Sequence, residues 1–220
     1  MSLEDLLQRA DLWRGGAAPA AAGLPSSFPE LDHELPGGFP AGALTEILAA
    51  CPCIGELSLL IPVLVHLARQ DRWVSFIAPP YIPYAPALER AGVNASHVLI
   101  VHASQGTDVL WATEQALRAG TCGAVLSWIS TADMKRLRRL QLAAEAGNAF
   151  GFIFRPVDAV RESSPASLRL RLEPNAAGLA VHILKRRGGW PTGPIILEKE
   201  HALAVHTFAR SPARGLFARS

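Results

Sequence analysis

HVLIVHASQGTDVLWATEQALRAGTCGAVLSWI, residues 97–129, decides the fold. HVLIVHA (97–103) and GAVLSWI (123–129) are short, continuously apolar runs, as expected of strands buried on both faces. Between them TDVLWATEQALRAG (107–120) has a Thr/Asp start and a Gly stop, the punctuation of a helix. Strand, helix, strand in this order places the two strands parallel, with the helix on one face. Trp111 and Trp128 fall in apolar stretches and are expected in the core.

The alternation continues in both directions. Upstream, LTEIL (44–48) and WVSFIA (73–78) read as buried strands. GELSLLIPVLVHLARQ (55–70) reads as a helix despite Pro62, and PYAPALERAG (83–92) as a helix closed by a Gly. Downstream, ADMKRLRRLQLAAEAG (132–147) is a helix and FGFIFRPV (150–157) a strand. Beyond Pro156, SLRLRL (167–172) and GLAVHILKRR (178–187) alternate like half-exposed antiparallel strands with their basic residues outward. GGWPTGP (188–194) is a turn and IILE (195–198) a further strand. The expected fold class is therefore α/β: a mostly parallel sheet with helices on both faces, a C-terminal antiparallel hairpin and an N-terminal helical arm. Three segments follow: arm and linker at 1–27, the domain at 28–200, and a tail at 201–220.

In the arm, LEDLLQRADLW (3–13) sets Leu3, Leu6 and Leu7 on one helical stripe and ends on Trp13. GGAAPAAAGLPSS (15–27) has a linker's composition. Such an arm either packs on its own core or docks on a partner.

Half of the 220 residues are hydrophobic and 18% are charged, a globular composition. No apolar run approaches the roughly 20 residues that a membrane-spanning helix needs. Three acidic residues among the first eleven are unlike a signal peptide, and a cytoplasmic protein with no membrane partner is expected. Cys51, Cys53 and Cys122 form no four-ligand zinc pattern and are expected to be buried, reduced thiols. Residues 1–134 carry six basic and thirteen acidic side chains, and residues 135–220 carry fifteen and six. The basic C-terminal part either meets an acidic partner, nucleic acid included, or is a solvated face.

TEILAACPCIGELSLL (45–60) occupies the strand-to-helix junction where a parallel α/β domain binds phosphate. That chemistry needs backbone N–H groups, a Lys against the charge, and a Ser/Thr for Mg²⁺. Laid on G-x-x-x-x-G-K-[ST], the segment offers Ala50, Gly55, Glu56 and Leu57. A carboxylate about 4 Å from a phosphate oxygen is repelled by about 4 kcal/mol at an effective dielectric near 20. Trp128 stands where a Mg²⁺-organising Asp belongs, and FIAPPYIPY has prolines where a water-activating acid belongs. The expectation is no cofactor and no catalysis, leaving contact surfaces to carry the function. Candidates are Lys135, Arg138 and Arg139 on helix 132–147, opposite a stripe of Met134, Leu137, Gln141 and Ala144. Lys185, Arg186, Arg187 and Trp190 around the turn are the others, since Trp and Arg are enriched at binding hot spots. A solvated helix face and a solvated hairpin end remain the alternative readings.

These segments resemble a RecA-type domain. FPELDHELPGGFPAGALTEI (28–47) is similar to the RecA lead-in to the phosphate loop. ALERAGVNASHVLIV (87–101) and TEQALRAGTCGAVLSW (113–128) are similar to the two βα units that follow. Through LWRGG (12–16), GFPAGALTEIL (38–48), RWVSFIAPPYIPYAPAL (72–88), GNAFGFIFRPV (147–157) and LAVHILKRRGGWPTGP (179–194), the chain resembles ImuA. That family comprises RecA-like accessory proteins of translesion DNA synthesis. The resemblance implies a non-catalytic adaptor in the DNA-damage (SOS) response, with ImuB and RecA as partners. It also places Lys185, Arg186 and Arg187 on the surface that faces a neighbouring subunit. From about Gly55 to Val157 the chain is similar also to SulA, SOS-induced inhibitors of cell division that bind FtsZ. The 64 residues after Pro156 exceed what SulA-like chains carry. The wider coverage makes the adaptor the expectation and the division inhibitor the alternative.

Overall fold

The computed structural model describes residues 23–52, 54–104 and 106–198. The arm with Leu3, Leu6, Leu7 and Trp13, Cys53, and the tail at 201–220 lie outside the described residues. Gly23–Leu24 (β1) pairs antiparallel with Phe39–Pro40 (β2), so the packed body reaches back past the boundary read at 28. Between them lies a short helix, Pro29–Glu34 (α1).

The remaining strands are Ala43–Ala49 (β3), Trp73–Ile77 (β4), Val98–Val101 (β5), Cys122–Trp128 (β6), Phe150–Pro156 (β7), Leu168–Asn175 (β8), Gly178–Lys185 (β9) and Thr192–Glu198 (β10). They form one sheet in the order β10-β9-β8-β3-β7-β6-β4-β5. From β8 to β5 every neighbouring pair is parallel, while β9 and β10 are antiparallel additions. The molecule is thus a mixed α/β fold with a mostly parallel central sheet and C-terminal antiparallel strands. SLRLRL differs from expectation on one side: β8 pairs in parallel with β3 and antiparallel only with β9. It is an interior strand, joining the parallel sheet to the hairpin.

Period-2 geometry divides each strand between two cores. Ile47, Phe76, Leu126 and Phe152 face α1, Ile61–Ala68 (α2) and Ala85–Arg90 (α3). Leu44, Ile77, Val125 and Ile153 face Gly106–Arg118 (α4) and Met134–Gly147 (α5). The Asp133 side chain caps α5 by accepting from the Arg136 amide at 2.7 Å. Gly147 ends α5 against α4, where a Cβ would be driven into the Leu117 carbonyl. Gln141 in turn accepts the Leu44 amide at 3.0 Å, tying α5 to the central strand.

Four expectations need correction. The helix read from residue 55 starts at Ile61, because a proline is tolerated in a first turn but not inside a helix, where it costs about 3 kcal/mol. Trp111 is not core but 65% exposed, since α4 turns Val109, Leu110, Thr113, Glu114 and Leu117 inward instead. Met134 stands off the buried stripe of α5 at 46% exposure, being in its first turn. Cys51 is exposed on the loop after β3, whereas Cys122 is buried and burial raises its thiol pKa.

Candidate functional site

The loop after β3 was expected to have lost phosphate chemistry. Ala50 is exposed, Gly55 is half-buried with φ +104°, and Glu56 and Leu57 are buried. Two successive turns follow: Ser58 N–H donates to the Gly55 carbonyl at 3.0 Å, and Leu60 N–H to the Leu57 carbonyl at 2.9 Å. Glu56 folds back on the loop, its Oε2 accepting the Ile54 amide at 2.9 Å. A loop amide that could face an anion is thereby engaged by an acid from the same loop. Nearby, Trp128 stacks on Phe154 with centroids 4.5 Å apart, and Phe76 lies beyond at 6.2 Å. The end of β6 is an aromatic stack.

At the middle of the sheet lies a group that the sequence reading missed. Glu46 on β3 is fully buried. Its Oε2 accepts Arg169 Nε from β8 at 2.6 Å, and its Oε1 accepts Arg155 Nη1 from β7 at 3.2 Å. Arg155 Nη2 also reaches Glu162 at 2.8 Å and the Ala132 carbonyl at 3.3 Å, while Arg169 Nη2 donates to the Ala159 carbonyl at 2.7 Å. The expectation that basic residues of SLRLRL point outward is corrected at Arg169. Leu168, Leu170 and Leu172 take one face of β8, but the turn Val157–Arg161 covers the other. The signal was an acid inside an apolar strand, which folding tolerates only when it is paired.

The contact candidates fall into two separate groups. On α5, Lys135 and Arg138 are exposed, with Leu142 one turn on from Arg138. Arg139 is committed: Glu114, buried on α4, accepts it at 2.6 Å and Arg118 at 2.7 Å. On the hairpin, Lys185 Nζ donates to the Ser164 carbonyl at 2.9 Å. Burial first, and then the positive charge of Arg169, holds the Lys185 pKa below its ordinary value. Arg186 pairs with Glu34 of α1 at 3.1 Å, and Arg187 and Trp190 are exposed. Arg139 is tied to α4 and Arg186 to α1, on opposite faces of the sheet, and the two groups do not form one site.

The family described as "Cell division inhibitor SulA" matches residues 42–151, running from β3 into β7. The chain belongs to the SulA family. SulA of Photorhabdus laumondii is 32% identical over 111 residues, covering 50% of this chain and 63% of that protein. SulA of Yersinia pestis (strain Pestoides F) is 30% identical over 114 residues, covering 52% of this chain and 68% of that protein. The chain thus spans about two thirds of these SulA relatives, which in turn account for half of it. The crystal structure of SulA from Pseudomonas aeruginosa is 30% identical and covers 51% of this chain and 97% of its own, with a TM-score of 0.43.

The SulA match overturns the expected adaptor of translesion synthesis and its partner ImuB. LWRGG (12–16) and LAVHILKRRGGWPTGP (179–194), which favoured that reading, lie outside the matched stretch. The middle of the chain, which holds β3 to β6 and their crossover helices, is the stretch that matches SulA. Among the described residues no helix is long and apolar enough to cross a membrane.

Proposed function

We propose that this chain is a cell-division inhibitor that acts by binding, without catalytic turnover. The observation that carries this reading is the SulA match over 42–151, which takes in β3 to β6, their crossover helices and the start of β7. Relatives that match about half of the chain are named cell-division inhibitors. The partner is FtsZ, following the SulA resemblance of the sequence, and the setting is the cytoplasm during the SOS response.

Absence of turnover is supported by the phosphate-loop position. Glu56 is an acid where a lysine is needed, and it already holds the Ile54 amide. A triphosphate brought there meets a repulsion of about 4 kcal/mol in place of an attraction. The frame is read as a RecA-type one whose phosphate loop no longer works. Inhibition is then stoichiometric: each inhibitor molecule removes one target molecule from the polymerising pool.

Induced expression in a rod-shaped bacterium tests the reading. The expected outcome is filaments several cell lengths long, with chromosome replication continuing and with no dependence on a mutagenic polymerase. Cells of normal length at high expression, with the protein intact, would contradict it.

A further inference from the structure

The β9–β10 hairpin carries an aromatic tip that the SulA reading does not use. It lies at 186–191, beyond the matched stretch. Trp190 is 85% exposed, the highest exposure among the large hydrophobic side chains of the described residues. Its presentation is built from several contacts. Arg186 bridges back to Gly189, where a Cβ would collide with the Arg186 side chain. At the base, Glu34 at the end of α1 accepts both Arg186 at 3.1 Å and the Thr192 hydroxyl at 3.2 Å. Two strands and one carboxylate therefore hold the tip, so that Arg187 and Trp190 project from a fixed support.

The surroundings decide what such a tip fits. Tryptophans at protein hot spots sit in a well-packed surround that keeps water away from them. The other exposed large hydrophobics among the described residues are Trp73, Ile82, Tyr84, Leu99, Trp111, Met134 and Leu142, and none comes from the strands β7 to β10. Instead the tip has cations: Arg187 is exposed, and Arg186 is paired with Glu34. Residues 135–220 carry fifteen basic against six acidic side chains. An isolated aromatic face with flanking cations matches the chemistry of an unpaired base and its phosphates.

We infer that the hairpin tip binds single-stranded nucleic acid, with Trp190 stacking on a base and Arg187 contacting a phosphate. This surface is independent of the proposed division inhibition and stands whether or not that reading holds. Stacking is sequence-tolerant, and the cations make binding depend on salt.

The test uses the full chain and fluorescence anisotropy with labelled dT20 and rU20 oligonucleotides, whose separate arms distinguish DNA from RNA. Trp190→Ala should weaken binding about 5- to 100-fold, Trp190→Phe much less, because a ring is retained. Arg187→Ala should lower the slope of log affinity against log salt by about 0.7, one phosphate contact on a single strand. All three variants should keep the parent's melting temperature, the side chains being exposed, and Trp190→Ala should keep the parent's effect on cell length. Absence of binding by the parent chain to either oligonucleotide overturns the inference. Equal affinity of Trp190→Ala also overturns it, as does loss of a protein partner by that variant with nucleic-acid binding unchanged.

Discussion

Replacing Glu46 by Gln preserves the shape of the side chain and removes its charge from the centre of the sheet. Glu46 is fully buried, with Arg155 Nη1 at 3.2 Å and Arg169 Nε at 2.6 Å. Arg155 keeps Glu162 as a counter-charge at 2.8 Å, but Arg169 is left with the Ala159 carbonyl and no carboxylate partner among the described residues. Breaking a buried pair by removing one member costs about 3–5 kcal/mol, because the remaining charge is uncompensated. For a chain of this size each kcal/mol lowers Tm by about 2–4 °C, so the variant should melt roughly 6–20 °C below the parent. Differential scanning calorimetry reads this directly. A control separates loss of compensation from loss of attraction. Glu46→Leu with Arg155→Met and Arg169→Leu removes the three buried charges at once, leaving Glu162 half in solvent, and should melt near the parent, since apolar replacements of buried ion networks are often neutral. A single variant that melts within 1 °C of the parent would refute the assignment of Glu46 as the counter-charge that joins β3, β7 and β8.

Three further outcomes follow from the packing. Gly147→Ala should lower stability by about 1–3 kcal/mol in a urea titration, because the added methyl meets the Leu117 carbonyl and backbone has to shift. Trp111→Ala should change stability by no more than about 0.5 kcal/mol in the same assay, because Trp111 is 65% exposed. The hydrogen bond from Arg186 holds the Glu34 pKa below its ordinary 4.5, against a smaller opposing effect of burial, with Thr192, the Arg186 charge and His33 also lowering it. A depressed carboxyl stabilises the fold above pH 4.5 and loses that contribution as pH falls through its folded value. Hydrogen exchange in 178–198 should therefore quicken, relative to α5, from pH 5 to pH 3, and Glu34→Gln should remove the difference.

The alternation of strand and helix from Leu44 to Val157 was legible because the strands there run apolar, although β5, read as buried on both faces, is the edge strand and leaves Leu99 exposed. HVLIVHA and GAVLSWI announce themselves without neighbours. Charged residues inside that pattern were not legible. Glu46 and Arg155 sit in apolar strands, and Arg169 sits in an alternating one, yet all three meet in space through the parallel pairing of β3 with β7 on one side and β8 on the other. Alternation reports two faces of a strand and cannot report that both are covered. Trp111 failed for a related reason: hydropathy places tryptophan inside, while the helix geometry of α4 chooses which side faces the sheet. At the candidate site, an acid at position 56 was legible, but its turn back onto the Ile54 amide was not. The family was read with the two relatives in the wrong order. The arm and hairpin weighed toward the adaptor, whereas the stretch that matches SulA holds β3 to β6 and the start of β7.

The central claim, inhibition by stoichiometric binding, is tested most directly by pelleting FtsZ polymers formed with GTP against rising amounts of the full chain. The account predicts that pelleted FtsZ falls in proportion to the chain added and is nearly abolished at about one chain per FtsZ, with no nucleotide consumed by the chain itself. Undiminished pelleting at several-fold excess of the folded chain would contradict it.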